Sequence, residues 1–306
     1  MNAAVVLFVY NRVDHVEQTL SALAENSIAN ISELYIFSDG PKKENDEKVM
    51  AVRKLISDEK WSQCFKQVTV IASDKNKGLA NSIITGVDTI IRKYGRVIVI
   101  EDDCVSSPDY LSFMNDCLDF YEKNNKIWSI GGYSFDISFP PDYSKDVYFM
   151  GRTCSYAWAT WLNRWEKVDW NVSDYNDFKF NFWSRHQFNE YGMDRSKMLD
   201  EQQLGMKNSW AIRFCYAMFS NSMLTVYPKK SRIRNIGYNE GTHVNPNKSG
   251  SELFDVRISE ESIPYVLSNE IEINTEIKKQ FVDHFRRNRL KLFLAFVSNV
   301  ILRIKR

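Results

Sequence analysis

The sequence predicts an α/β fold: a mostly parallel, doubly wound sheet with helices on both faces. Short runs of β-branched and aromatic residues alternate with helix-periodic segments from residue 4 to residue 124. Polar residues collect where each of these apolar runs ends. The fourth run, Val97-Ile98-Val99-Ile100, passes directly into three acids, Glu101, Asp102 and Asp103.

The elements follow in order. Residues 4–10 read as a buried first strand, followed by a helix with Val16, Leu20 and Leu23 at helical spacing. ELYIFS (33–38) is a second strand, and DGPKKEND is its turn-rich exit. Residues 46–57 are a helix, QVTVIAS (67–73) a third strand, and 78–94 a helix. RVIVIE (96–101) is the fourth strand, and 108–124 is helical again. Strands joined by helices build parallel sheets whose ligands sit at the carboxyl ends of the strands. On that edge the pattern places Asn11-Arg12, Ser38-Asp39-Gly40, Asp74-Lys75-Asn76-Lys77-Gly78 and the acidic triplet.

Beyond about residue 130 the character changes. Segment 131–155 is rich in Gly, Pro and Tyr, and Trp158, Trp161 and Trp165 then follow at spacings of three and four. That spacing lets the three rings share one helix face, which reads as core rather than as a ligand platform. The expected organisation is 1–130, 131–270 with mixed structure, and a C-terminal basic amphipathic tail, 271–306, that is helical.

Bulk properties exclude some functions. Forty basic and thirty-nine acidic residues give a net charge of +1, so no global field draws nucleic acid. The five cysteines are scattered with no CxxC pair, which reads as reduced thiols rather than a disulfide frame or a zinc site. The N-terminus has no basic leader region or cleavage site, and no apolar run approaches the ~18 residues of a membrane span. A cytoplasmic protein is expected. The aromatic share, 14%, suits stacking on flat ligands or sugars, although a large core also accounts for it.

Three adjacent carboxylates repel one another unless protons or a cation intervene. A hard divalent ion, Mn²⁺ or Mg²⁺, resolves the repulsion and binds through few carboxylates plus substrate phosphate oxygens. A diphosphate held by such an ion is a better leaving group. Successive side chains at a strand end point to opposite faces, so the three acids are expected to divide their tasks.

VVLFVYNR, FSDGP, NKGLANSIITG and VIVIEDDCVSSPDY, in this order, resemble the nucleotide-sugar-binding half of GT-A fold glycosyltransferases, of family 2 and the N-acetylglucosaminyltransferase I type. SWAIRFCYAMFSNSMLTVYPKKSRIRNIGYNEGTH resembles the acceptor-side half of bacterial members, so the likeness covers roughly residues 4–243. The resemblance implies a GT-A sheet with a nucleotide-sugar subdomain at 1–130 and an acceptor subdomain at 131–270. It implies that Tyr10, Asn11 and Arg12 lie near the base and diphosphate, that Asp39 meets the uracil edge and that Gly78 lines the donor site. It further implies that Asp102 contacts the ribose, that Asp103 ligates Mn²⁺ or Mg²⁺, and that Glu101 lies beside the donor sugar. Gly78 also has a plain reading as a turn residue, Asn81 as a cap and Lys77 as a solvated side chain.

Inverting transfer needs a general base. Relatives place an Asp beside the Trp that starts a helix; here that stretch is Asn208-Ser209-Trp210-Ala211, and neither Asn208 nor Ala211 accepts a proton. Glu201 and Asp200 are the nearest acids, with Glu201 favoured and Asp194 or Asp169 as further candidates. Trp210 is assigned to the donor site, and Arg213 and Arg234 are candidates for a diphosphate or substrate carboxylate. His243 is a candidate metal ligand within a Gly- and Asn-rich segment, 235–250, that suits a lid. The tail, with apolar residues 292–302 between Arg and Lys, suits either docking on the body or a peripheral place on the inner face of the cytoplasmic membrane.

The expected activity is therefore transfer of a sugar from a nucleotide donor, with UDP implied by the Asp39 match, to a saccharide or lipid-linked saccharide in bacterial surface polysaccharide synthesis. Two other readings stand beside it. A nucleotidyltransferase would need a Gly-rich phosphate loop that VYNRVDH lacks. A non-catalytic nucleotide-sugar-binding relative would account for the missing Asp at Ala211.

Overall fold

The computed structural model describes residues 2–237, 256, 258 and 264–285. Strands β1 (Ala4–Val9), β2 (Glu33–Ser38), β3 (Gln67–Ala72) and β4 (Arg96–Glu101) form a parallel block in the order β3-β2-β1-β4. The chain steps outward from β1 through β2 to β3, then returns to lay β4 on the other side of β1. This reversal makes the carboxyl ends of β1 and β4 the topological switch point, where open α/β sheets bind ligands.

β6 (Ile127–Gly131), β7 (Val147–Met150), β8 (Ala157–Trp161) and β9 (Leu224–Pro228) extend the same sheet in the order β8-β6-β9-β7. Here β8 runs antiparallel to β4 and β6, β9 parallel to β6, and β7 antiparallel to β9. One eight-stranded sheet thus runs across residue 130, parallel in one half and mixed in the other. β5 (Cys104–Ser106) and β10 (Ile233–Asn235) form a separate antiparallel pair beside the switch point.

Side-chain alternation splits β1 between two cores. Val5, Leu7 and Val9 pack with Val16 and Leu20 of α1 (Val13–Ala24) and Val52 and Ile56 of α2 (Glu47–Ile56). Ala4, Val6 and Phe8 pack with Ile83, Val87 and Ile90 of α4 (Leu79–Tyr94). The short helix α3 (Lys60–Cys64) precedes β3, and α5 (Tyr110–Tyr121) joins the α1 face. The helices α6 (Leu162–Trp165), α7 (Tyr175–Phe180), α8 (Phe182–Phe188), α9 (Arg195–Gln203) and α10 (Trp210–Ser220) belong to the second half, and residues 275–285 form a further helix, α11.

The Trp stripe is not one helix face. Trp158 and Trp161 lie on β8 and only Trp165 is helical, so Trp161 packs in the α1-side core while Trp158 and Trp165 stack in the α4-side core. All five residues of β8 are buried. A strand covered on both faces carries no alternation, and its apolar run mimics a helix. His243 and most of the proposed lid lie outside the described residues, as does the tail beyond residue 285. No helix among the described residues is long and apolar enough to cross a membrane.

Candidate active site

The switch point gathers charge. β1 ends at Val9, and Arg12 follows as the residue before α1. β4 ends at Glu101, which pairs in register with Phe8 of β1. Asp102 and Asp103 occupy the turn between β4 and β5. The Arg12 guanidinium donates to Asp102 Oδ1 and, at 3.0 Å, to Asp103 Oδ2. One side chain therefore reaches two adjacent acids. The strict alternation expected of a strand end does not hold for them, because both lie past the end of β4, in a turn.

The electrostatics are lopsided. Burial and the neighbouring Asp103 and Asp102 push the Glu101 carboxyl well above the usual carboxylate range. Burial also raises Asp102, against the pull of Arg12. For Arg12, burial disfavours the charge, but Asp102 and then Asp103 outweigh it and raise its pKa above the ordinary value. One guanidinium faces three carboxyls, which leaves the cluster short of positive charge.

Sequence reasoning gave His15 no part in this cluster and read residues 235–237 only as the start of a lid. The β5–β10 pairing sets Asn235 opposite Cys104, so that Asn235 Nδ2 donates to Asp103 Oδ1 at 3.2 Å. Ile236 N donates to the Asp103 carbonyl at 2.8 Å, and His15 Nε2 lies 3.3 Å from the Ile236 carbonyl oxygen. Gly237 lies so close that an ideal Cβ there would sit 2.1 Å from Asp103 Oδ2. Residues about 130 positions apart meet through a three-residue strand, and no local pattern announces it.

Asp39 organises the neighbouring rim. Its Oδ1 accepts from Gly40 N (2.8 Å) and Lys77 N (2.9 Å), and its Oδ2 from Gly78 N (3.0 Å). Asn76 Nδ2 donates to the Gly40 carbonyl at 2.8 Å. Gly78 has φ +75°, a conformation that favours glycine, and precedes α4. Each carboxylate oxygen offers about two lone-pair sites, so Asp39 Oδ2 keeps one beyond Gly78 among the described residues. Asn81 Nδ2 donates to the Lys77 carbonyl. Tyr10 and Asn11 are half-buried on the same rim, and burial and then Asp46 raise the Tyr10 pKa.

The candidates in the second half are placed differently. Trp210 is 4% exposed and stacks on Trp158 at 5.0 Å, inside the core. Arg213 donates to the carbonyls of Ser209 and Trp170 (3.0 Å each) and to Asn208 Oδ1 (2.8 Å), bracing the turn into α10. Arg234 lies on β10, opposite Val105 of β5.

Asp200 accepts from Arg185 at 2.9 and 2.7 Å and from the Tyr175 hydroxyl at 2.9 Å, and hydrogen bonding from Arg185 holds its carboxyl below the usual range. Glu201 pairs with Lys207 at 2.7 Å and Lys197 at 3.7 Å, and it too is lowered, chiefly by Lys207. Asp194 forms two 2.9 Å hydrogen bonds with Arg152, and Asp169 accepts from Asn171 N and Ser173 N.

The acidic cluster can be tested as a site for Mn²⁺ or Mg²⁺. Its donors are carboxylate oxygens, the type that hard cations prefer. Among the described residues no group of three or more His, Cys, Asp or Glu converges to enclose an ion. The cluster therefore fits an ion completed by substrate oxygens and water, not one caged by protein alone. Such an ion would compete with Arg12 for Asp103.

The family described as Glycosyl transferase family 2 matches residues 4–152, which span β1 to β7 and include the whole acidic cluster. No curated protein matches the chain. Among solved structures the chain is similar to S. aureus TarS, with 12% identity and a TM-score of 0.43 over 78% of this chain and 37% of that one. It is similar to S. aureus TarS 1-349, with 12% identity and a TM-score of 0.45 over 76% of this chain and 60% of that one. It is also similar to TarS 1-349 in complex with UDP-GlcNAc, with 14% identity and a TM-score of 0.44 over 76% and 58%. The chain spans 37–60% of the length of these structures. The eight-stranded mixed sheet is the GT-A arrangement expected from the sequence, and its first half is similar to family 2 glycosyl transferases.

Proposed function

We propose that the chain is an inverting, metal-dependent glycosyltransferase. It moves a sugar from a UDP-sugar to a saccharide or lipid-linked saccharide in bacterial surface polysaccharide synthesis, with peripheral membrane contact. One observation carries the reading: a cluster of Glu101, Asp102 and Asp103, under-neutralised by Arg12, at the switch point of a sheet whose first half matches family 2. Mn²⁺ or Mg²⁺ bound there supplies charge for the departing diphosphate.

The chain's own residues do the rest. Asp39 Oδ2 meets the uracil edge, and Asp102 takes the ribose. Arg12 turns from the two aspartates to the diphosphate, exchanging one anionic partner for another. Asp103 and Asn235 fix the side of the cleft on which the diphosphate rests. The acceptor hydroxyl oxygen attacks the anomeric carbon, the bond to the diphosphate oxygen breaks, and a carboxylate takes the hydroxyl proton. Glu201 is the assigned base. Asp200, Asp194 and Asp169 are each fixed by arginine or by backbone N–H groups, whereas Glu201 is held by two exposed lysines that can release it.

Ala211 favours a second reading, a nucleotide-sugar-binding protein without turnover. Incubation with UDP-, GDP- and dTDP-sugars, Mn²⁺ and a panel of saccharide acceptors separates the two. Release of UDP with a glycosylated product supports the transferase. Tight UDP-sugar binding with neither hydrolysis nor transfer supports the binding protein.

A further inference from the structure

The eight-stranded sheet has two edge strands, β3 and β7. The β7 edge is closed. All four of its residues are buried, and Asp146 just before it exchanges hydrogen bonds with Val266, from Asp146 N to the Val266 carbonyl at 2.9 Å and from Val266 N to Asp146 Oδ2 at 2.7 Å. The β3 edge is bare among the described residues. None of its six residues, Gln67 to Ala72, is buried, and Val70 and Ile71, which point to opposite faces, are each 37% exposed. Unpaired edges invite strand pairing, and proteins blunt them with charge, proline or a bulge. β3 has no charged residue and no proline, and it pairs with β2 without a register shift.

Backbone phase decides which groups face outward. Ser73 N donates to the Ser38 carbonyl at 2.9 Å, so by alternation the N–H and C=O groups of Thr69 and Ile71 serve β2. Those of Val68, Val70 and Ala72 point away from the sheet. A strand added antiparallel must set outward residues against outward residues. A second β3 does so when turned about a two-fold axis at Val70: Val70 then faces Val70, and Val68 faces Ala72. Thr69 falls beside Ile71, so β-branched side chains meet on both faces. The same register brings Lys66 to the level of Asp74 at each end, which sets opposite charges together, while Lys75 falls opposite Phe65. Asp74 is exposed, and Lys66 is 59% exposed although it pairs with Glu33.

The geometry points to β3 as a homodimer surface: two copies of this chain pair β3 antiparallel about Val70 and continue one sheet across both. Such an interface uses the same strand of each copy, so one contact closes both bare edges. Six residues at about 3.3 Å each make a ribbon of roughly 20 Å. That is a contact at the small end of specific interfaces, so the dimer forms reversibly, on the order of micromolar concentration. The carboxyl ends of the two β3 strands point in opposite directions, which sets the two Asp39–Gly78 rims at opposite ends of the shared ribbon. The inference does not rest on glycosyl transfer.

The test is sedimentation velocity of the full chain, without donor or metal, from about 1 to about 100 µM, with amide exchange followed at both limits. Wild type passes from monomer to dimer, and the β3 amides gain protection in the dimer. Val70→Lys and Val70→Glu each set like charges face to face at the axis and weaken self-association by about tenfold or more, and an equimolar mixture of the two restores the dimer. Circular dichroism checks that both variants fold; should either fail to, the wild-type exchange decides alone. The inference is overturned if wild type stays monomeric throughout, or if its dimer leaves β3 exchange unchanged. It is also overturned if folded Val70→Lys dimerises as tightly as wild type, or if the mixed folded variants stay apart. Failure here leaves the proposed activity standing, and absent turnover leaves the dimer result intact.

Discussion

Gly237→Ala tests the geometry around Asp103 with a single added methyl group. An ideal Cβ lies 2.1 Å from Asp103 Oδ2, against 3.4 Å for ordinary contact, so one of the two must retreat by about 1.3 Å (3.4 minus 2.1). Gly237 is tied by its N–H to Asn235 Oδ1 at 2.9 Å, and Asn235 holds Asp103, so the strain falls on the carboxylate rather than on a free loop. Overpacking of this kind costs about 1–3 kcal/mol, a loss of a few degrees in Tm for a chain of this size. Binding should suffer more, since a misplacement of about 1 Å at a reacting site can cost on the order of 100-fold. Calorimetric titration of UDP in Mn²⁺ should show affinity weakened by tenfold or more, with a folded protein by circular dichroism. An affinity within about twofold of wild type would show that the position of Asp103 does not govern the nucleotide, and would refute the reasoning.

Arg12→Gln removes the cation that competes for Asp102 and Asp103, so Mn²⁺ alone should bind more tightly while UDP binds more weakly; calorimetry with each ligand in turn checks both signs. Glu201→Gln should leave UDP-sugar affinity intact and lower kcat by about 100-fold or more; undiminished product formation would move the base elsewhere. Asp194→Asn leaves Arg152 without its partner and should cost about 2–3 kcal/mol near neutral pH, measured by chemical denaturation. Burial acts to raise the Asp194 pKa, but the Arg152 hydrogen bonds and charge outweigh it and hold it below the ordinary carboxylate value. The folded pKa lies below the unfolded one, so the stabilisation is full above the unfolded value and lost as pH falls through the folded value. The gap between wild type and variant should therefore close in acid.

The parallel half was legible because each element announces itself locally. β2 matches the ELYIFS segment residue for residue, and α4 falls between Gly78 and Gly95, both at positive φ. Strand ends in such a sheet share one edge, so Arg12, Asp39 and the acidic triplet could be assigned to a common rim before any coordinates. The second half was less legible. Trp158 and Trp161 carry helical spacing yet lie on a strand, because both faces of β8 are covered. Sequence reading gave His15 no role and placed Asn235 and Gly237 only within the 235–250 lid, not against Asp103. Asn235 and Gly237 reach Asp103 through the β5–β10 pairing, and His15 of α1 meets the Ile236 carbonyl between them, contacts made between distant parts of the chain. The divided roles expected of Asp102 and Asp103 assumed strand alternation, which stops at Glu101.

The central claim is that Asp103 holds a divalent cation that in turn holds a nucleotide diphosphate. Titrating UDP into wild type and Asp103→Asn, each with Mn²⁺ and again with EDTA, tests it most directly. The account predicts binding for wild type with Mn²⁺ and its loss in the other three conditions. Equal UDP affinity with EDTA, or in the variant, would mean that Arg12 and Asp103 are a permanent internal ion pair and that the nucleotide is held without the metal.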